Sequence, residues 1–130
     1  YVLADRSLRA SPDRWAQAAV QALHDFDADR IIGETNNGGE MVELTLRTVE
    51  RSVSYKAVHA SRGKQARTEP IAALYEQGKV THCTMMEDLE DQLCTWTPDS
   101  GKSPDRLDAL VWAITELSQQ ARPNLRFVEV

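Results

Sequence analysis

The order of apolar and polar positions divides the chain into alternating helices and strands. Residues 11–26 begin with Ser-Pro-Asp, which supplies an N-cap, a proline at the first helical position and an early acid, and apolar residues follow at helical spacing. This pattern predicts a helix over that stretch. Similar spacing predicts further helices over residues 40–50, 71–77, 86–96 and about 104–121.

Short apolar or alternating runs between these helices predict strands. They cover residues 1–5, 28–34, 54–60 and 79–83. Strands that alternate with helices indicate an α/β domain whose parallel strands are covered by helices. Sites in such sheets form at the carboxyl ends of the strands, which makes Glu34 notable as the last residue of an apolar strand.

The bulk composition sets outer limits on fold and function. The 130 residues suit one domain, and no apolar run approaches the ~18 residues of a membrane span. The sequence contains no charged-then-apolar leader of the kind that directs secretion. The spacing of Cys83 and Cys94 is not that of metal ligands. We therefore expect two buried thiols in a reduced, intracellular domain. A domain that merely coats nucleic acid is usually basic, so with a net charge of -5 we expect any contact with nucleic acid to come from a local cluster of positive charge.

Three carboxylates are candidates for one site. Asp105 and Asp108 open the last helix, on the border of an apolar stripe, and Glu34 ends its strand. If that helix packs across the strand ends, the three acids converge, and hard oxygen ligands of this kind favour Mg²⁺ or Mn²⁺. The alternative is that Glu34 is a surface acid and Asp105 complements the positive end of the helix dipole.

A basic segment is the second candidate. Arg62, Lys64 and Arg67 follow one another without an intervening acid in an otherwise acidic chain. Residues 61–70 are predicted as a polar stretch ahead of the helix at 71–77. Beside a cation site, such a stretch suits the phosphate backbone of nucleic acid, and the alternative is a solvated loop.

Three segments together resemble a known family. GETNNGGEMV (33–42), SRGKQARTEP (61–70) and SPDRLDALVWA (103–113) occur in the order found in the C-terminal nuclease domain of terminase large subunits from tailed phages and prophages. The resemblance implies a single domain over residues 1–130 with an RNase H-like fold, a mixed α/β sheet flanked by helices. It also implies a two-metal endonuclease, using Mg²⁺ or Mn²⁺, that cuts concatemeric viral DNA during packaging.

The resemblance assigns roles to particular residues. Glu34 matches the family's second acid, Asp108 matches the acid on the last helix, and Asp105 resembles the extra aspartate of the DxxD pattern in RuvC-like enzymes. All three are expected to be catalytic and metal-binding. The basic segment of Arg62, Lys64 and Arg67 is expected to face DNA.

The chain departs from the family at its start. The family's first acid normally lies in a GxDP-like stretch on an earlier strand, and no such stretch and no Walker motif occurs here. We therefore expect that the chain begins at Tyr1 after the first strand, without the ATPase domain, and that Asp5 could stand in only superficially. Unpaired sheet edges would follow, and with them a tendency to form homo-oligomers.

Partners and location follow from the resemblance alone. It implies double-stranded DNA, the terminase small subunit and the portal or procapsid as partners, no membrane, and the cytoplasm of a bacterial host. Two other functions stay open. One is an inactive fragment that docks to DNA or capsid, and the other is a resolvase-like nuclease acting on branched DNA.

Overall fold

The structure is a computed structural model that describes residues 1–35, 40–101 and 104–120. Within these ranges strands and helices alternate as the sequence predicts, up to the second strand, and three helices follow. The elements are α1 (Pro12–Asp25), β1 (Ile31–Glu34), α2 (Glu40–Val49), β2 (Tyr55–Val58), α3 (Lys64–Glu76), α4 (Glu87–Thr95) and α5 (Asp105–Gln120).

β1 and β2 form a parallel pair in which Ile31 lies opposite Tyr55 and Glu34 opposite Val58. Parallel neighbours need a crossover connection, and α2 lies on that connection between the two strands. Successive side chains along a strand point to opposite faces of a sheet. Ile31 and Tyr55 therefore share one face, and Ile32 and Glu34 lie on the other. The α/β class is confirmed, whereas the larger mixed sheet stays a prediction.

The first face of the sheet is covered by apolar side chains of α1 and α2. Ile31 and Tyr55 pack against a core cluster, together with partly buried residues of both helices. Leu46 of α2 is fully buried there. The cluster consists of Ala16, Val20, Leu46 and Val53.

A second apolar region lies among α3, α4 and α5. Ile71, Leu107 and Val111 form one cluster, and Leu110 belongs to an adjoining one with Met86 and Leu89. The apolar stripe predicted for the last helix is confirmed, because Leu107, Leu110 and Val111 are all buried. This packing holds α5 against α3 and α4 and thereby fixes where its opening acids lie.

α3 begins earlier than the sequence pattern predicts. The expected start at Ile71 is wrong, since the helix runs from Lys64 and contains Pro70 in its interior. A proline there removes one backbone hydrogen bond, which is why the pattern argued against a helix. Side-chain contacts of the first turn with β1 and α5, described below, oppose that loss.

The predicted strands over residues 1–5 and 79–83 shrink to one isolated bridge between Val2 and His82. Its backbone bonds run from Val2 N to Thr81 O at 2.8 Å and from Cys83 N to Val2 O at 2.9 Å. The His82 ring turns away to Tyr75 Oη and to Glu90 Oε1, at 2.8 and 2.9 Å. Side-chain bonding to α3 and α4 thus anchors this stretch where an extended ladder was expected.

Two further findings concern chemistry at the surface. Cys83 and Cys94 are both exposed, so the expectation of two buried thiols is wrong. The side chain of each falls on the solvent side of its segment. None of the helices within residues 1–35, 40–101 and 104–120 has the length and apolarity needed to cross a membrane.

Candidate active site

The carboxyl end of β1 and the first turns of α5 line one cavity of about 530 Å³. α5 contributes one stripe of residues at helical spacing, and the first turn of α3 contributes Lys64. The cavity is lined by Arg30, Ile32, Glu34, Lys64, Asp105, Asp108, Ala109, Trp112 and Ala113. The second face of the sheet therefore meets α5 across a charged space, where the first face meets apolar side chains.

Glu34 reaches this cavity because it ends β1 on the face turned toward α5. Its side chain is 25% exposed. The next residue, Thr35, is buried, and its backbone N–H donates to Val58 O at 2.9 Å. That bond continues the pairing with β2 beyond Glu34 and fixes the backbone that carries the carboxylate.

Asp108 lies on α5 with its side chain 14% exposed. Its backbone N–H donates to Pro104 O at 2.8 Å, so the helical hydrogen bonding starts at Pro104. Asp105 precedes it by three residues, about 60° around the helix, and lines the same cavity from a more exposed position. The position of Asp108 beside the buried stripe turns its carboxylate toward β1.

Arg67 joins the two acids. Its Nη1 lies 3.5 Å from Glu34 Oε1 and its Nη2 lies 3.9 Å from Asp108 Oδ1. The guanidinium also stacks on the Trp112 ring, 4.7 Å from the ring centroid, in a cation–π arrangement. The side chain is only 12% exposed, so Arg67 points inward from α3.

Lys64 supplies the second positive charge. Its Nζ lies 2.5 Å from Asp108 Oδ2, and the side chain is 38% exposed. Two cations of the first turn of α3 thus face two carboxylates from β1 and α5. This balance explains how acids can stand close together at a partly buried place, since unpaired like charges there would repel.

The guanidinium of Arg67 is incompletely satisfied. Its two carboxylate contacts are long, and within the described part of the chain the buried Arg67 Nε has no hydrogen-bond partner. A buried donor without an acceptor costs about 1–3 kcal/mol. The cation between Glu34 and Asp108 is therefore held less firmly than a fully bonded one.

The other predicted residues of the site lie outside the cavity or outside the described residues. Arg62 is exposed just before α3 begins. The Asn-Asn-Gly-Gly part of GETNNGG, residues 36–39, lies outside the described residues. The Ser103 N-cap of the last helix lies outside them as well.

Asp5 is engaged elsewhere. It accepts a hydrogen bond from Arg106 Nε at 2.9 Å, and it lines a different cavity with residues 84–88. Burial raises the pKa of the Asp5 carboxyl, but hydrogen bonds from Ser7 and the charge of Arg106 outweigh it and hold the pKa below its ordinary value. Arg106 lies about 160° around α5 from Asp108, so Asp5 faces away from Glu34.

No three His, Cys, Asp or Glu side chains within residues 1–35, 40–101 and 104–120 lie close enough together to hold a metal ion. The carboxylates that share the cavity are nevertheless ligands of the kind that Mg²⁺ and Mn²⁺ prefer. Glu34 and Asp108 already face a common positive charge. In chemical kind these two acids fit a divalent cation, and Asp105 is the nearest further carboxylate along the helix.

The comparison with protein families decides what the chain is related to. The sequence profile of the terminase RNase H-like domain matches residues 1–117 of the 130. The chain belongs to this family. No curated protein and no solved structure gives a significant match.

Sequence reasoning placed the carboxylates of this terminase RNase H-like domain in one cavity but missed how they are held together. The contact of Arg67 with both acids, and with Trp112, has a faint signal in the sequence. Arg67 lies three residues after Lys64, which is the spacing of one helix face. The polar composition of residues 61–70 hides that spacing, because it gives no apolar stripe that would indicate a helix.

A second charged group of the domain was missed altogether. Glu116 is buried on α5, and Lys56 Nζ lies 2.7 Å from it. Arg30 Nη1 lies 3.6 Å from the same carboxylate. In the sequence Lys56 is simply one polar position of an alternating strand, so nothing there indicates a partner 60 residues away.

Proposed function

We propose that this terminase RNase H-like domain is a metal-dependent DNA endonuclease that cuts concatemeric viral DNA during genome packaging. One observation carries the proposal: Glu34 and Asp108, from β1 and α5, face each other across a single guanidinium, that of Arg67. A carboxylate pair at the end of a parallel strand, beside cations suited to phosphate, supports phosphodiester hydrolysis. Membership of the family supports the same chemistry.

Glu34 and Asp108, with Asp105 beside them, are the residues that would hold Mg²⁺ or Mn²⁺. Their carboxylates fit such ions in chemistry, and the incompletely bonded guanidinium of Arg67 is the charge that an incoming cation would replace. When bound, a pair of such ions activates water for in-line attack and stabilises the leaving oxygen of a phosphodiester.

The basic side chains of α3 have a separate role. Lys64 is 38% exposed and Arg62 is exposed, so both can contact a DNA backbone that approaches the cavity. Arg67 is more deeply placed. It holds Glu34 and Asp108 near each other before a cation arrives, and it can turn to a phosphate once the acids are engaged.

The proposal is tested by plasmid nicking with Mn²⁺, comparing the chain with its Asp108→Asn variant. We expect nicking to fall by at least a hundredfold, because Asn keeps the shape but removes the charge that binds a cation. Asp91→Asn, an exposed acid on α4 outside the cavity, is the matched control and should nick normally. Equal nicking by the Asp108→Asn variant would refute the role of that residue.

A second candidate function has an observation of its own. In the described parts of the chain, no three ligand-type side chains lie close enough together to hold a metal ion. The second candidate is therefore a domain that does not cut and acts as a docking module for DNA or capsid. Mn²⁺ affinity separates the two. Tight binding that Asp108→Asn removes favours the nuclease, and weak binding without nicking favours the docking module. Preference for a four-way junction over linear duplex would indicate a resolvase-like activity.

Partners remain part of the proposal. Double-stranded DNA is the substrate, and the terminase small subunit and the portal or procapsid are the assembly partners in the host cytoplasm. Co-purification with a small subunit from the same phage or prophage tests the assembly directly. A homo-oligomer would appear as a mass above that of one chain in light scattering.

A further inference from the structure

We propose that Arg30 and Lys56, held in place by Glu116, form a second phosphate-binding pair for a nucleic-acid strand that crosses the acid pair. The inference rests on the proposed function, since it assumes that nucleic acid occupies the cavity. It adds a contact site at the end of the cavity opposite Lys64.

The pair is built around a buried carboxylate. Glu116 has a side chain that is 7% exposed, and Lys56 Nζ lies 2.7 Å from both of its oxygens. Arg30 Nη1 approaches Oε1 to 3.6 Å. Among the described side chains, two cations thus face this one carboxylate. The side chains of Arg30 and Lys56 are also 39% and 42% exposed, so both are open to solvent in part.

The pair shares one surface with the acids. Glu116 follows Asp105 by eleven residues, which places it only about 20° away around α5. Arg30 lines the same cavity as Glu34 and Asp108. Lys56 lies opposite Ile32 in the sheet register, and Ile32 also lines that cavity. The surface therefore has positive charge at both ends, from Lys64 and from the Arg30–Lys56 pair, with acids between.

This charge distribution fits a linear polyanion better than a single small anion. Eight residues separate Asp108 from Glu116, a rise of about 12 Å along the helix. At about 3.4 Å per nucleotide that distance spans three to four nucleotides of one strand. A backbone crossing the acid pair would meet Lys64 near the reacting phosphate and the Arg30–Lys56 pair a few nucleotides away. An isolated small anion would occupy only one of the two positive ends.

The opposing explanation is that the group merely fastens α5 to the sheet. The two explanations predict opposite effects for Glu116→Gln, which keeps the side-chain shape and removes its charge. If Arg30 and Lys56 contact phosphate, releasing them from the carboxylate tightens DNA binding several-fold. If they serve only to fasten α5, the variant is less stable and binds DNA no better.

The test is fluorescence anisotropy with a short labelled DNA duplex, without divalent ions, over a range of salt concentrations. For the double variant Arg30→Gln/Lys56→Gln we expect weaker binding and a salt slope smaller by about 1.8, since each lost phosphate contact lowers it by about 0.9. The double variant Arg14→Gln/Lys79→Gln makes the same charge change at exposed positions outside the cavity and should keep the slope. Thermal unfolding checks that every variant folds.

The outcomes are distinguishable. An unchanged slope in a folded Arg30→Gln/Lys56→Gln variant, or no tightening in a folded Glu116→Gln variant, overturns the inference. If Lys64→Gln weakens DNA binding while Arg30→Gln/Lys56→Gln leaves it unchanged, this inference fails and the proposed function stands. If the unmodified chain binds no DNA, both fail. Should the double variant not fold, the Glu116→Gln result decides.

Discussion

The two faces of the β1–β2 sheet are covered in opposite ways. Ile31 and Tyr55 meet the apolar side chains of α1 and α2, whereas Glu34 and Lys56 meet charged groups on α3 and α5. The first face gains stability from burial. The second must offset the desolvation of its charges by pairing them, which seldom yields net stability. A face that gains little stability from its charges is consistent with the binding role proposed for it.

The largest effect is expected on the apolar face. Leu46→Ala removes a side chain with no exposure from the cluster over that face and should lower the free energy of unfolding by about 2–5 kcal/mol. Leu44→Ala is the control two positions away, since Leu44 is 67% exposed. Urea denaturation measures both. Similar losses for the two variants would contradict the assignment of the core.

On the charged face, Arg67→Gln should lower the free energy of unfolding by about 2 kcal/mol, because it leaves Glu34 and Asp108 facing each other with one cation fewer. Added Mg²⁺ should restore part of that loss by occupying the vacated place, and it should stabilise the variant more than the unmodified chain. Arg62→Gln makes the same charge change at an exposed position. Thermal unfolding with and without Mg²⁺ provides the measurement, and a loss that Mg²⁺ leaves untouched would speak against cation exchange at this site.

Gly33 tests how closely β1 and β2 pack on the first face. A Cβ at Gly33 would lie 2.6 Å from Tyr55 Oη and 2.9 Å from Tyr55 Cε2, so Gly33→Ala must push that ring aside. We expect the free energy of unfolding, measured by urea denaturation, to fall by about 1–2 kcal/mol. In a Tyr55→Phe background the loss should shrink, because the nearest atom is gone. Gly63→Ala, with nothing within 4 Å of its Cβ, should be nearly neutral.

The smallest effect concerns Asp5, which lies away from both faces. Its pKa is held below the ordinary 3.8, so its contribution to stability is complete above about pH 5 and is lost as the pH falls through the folded-state value. Asp5→Asn should therefore reduce stability slightly at neutral pH and flatten its decline in acid. Chemical denaturation at a series of pH values tests this, with exposed Asp91→Asn as the control. If the stability of Asp5→Asn fell just as steeply in acid as that of the unmodified chain, the acid sensitivity would belong to other groups.

The sequence predicted best what depends on local periodicity. α1, α2, α4 and α5 lie within a residue or two of their expected bounds, and the apolar stripe of α5 is buried as its spacing requires. Glu34 stands at the end of its strand because apolar residues precede it. These features need no knowledge of distant contacts.

Features that depend on tertiary partners were harder to predict. The start of α3 at Lys64 depends on contacts of its first turn with Glu34 and Asp108, which local propensity does not contain. The pairing of Lys56 with Glu116 spans 60 residues. The exposure of both cysteines depends on which side of a segment packs inward, and residue type alone favoured burial.

Trp112 gives the acid pair an optical reporter of its own. Its indole lies against the Arg67 guanidinium and lines the cavity, whereas Trp15 and Trp96 pack against separate apolar clusters. The emission of an indole shifts with the charge beside its ring. Any ion or strand that displaces Arg67 will therefore change the wavelength and intensity of Trp112 emission. Occupancy of the acid pair can then be followed by intrinsic fluorescence, without labelling the protein.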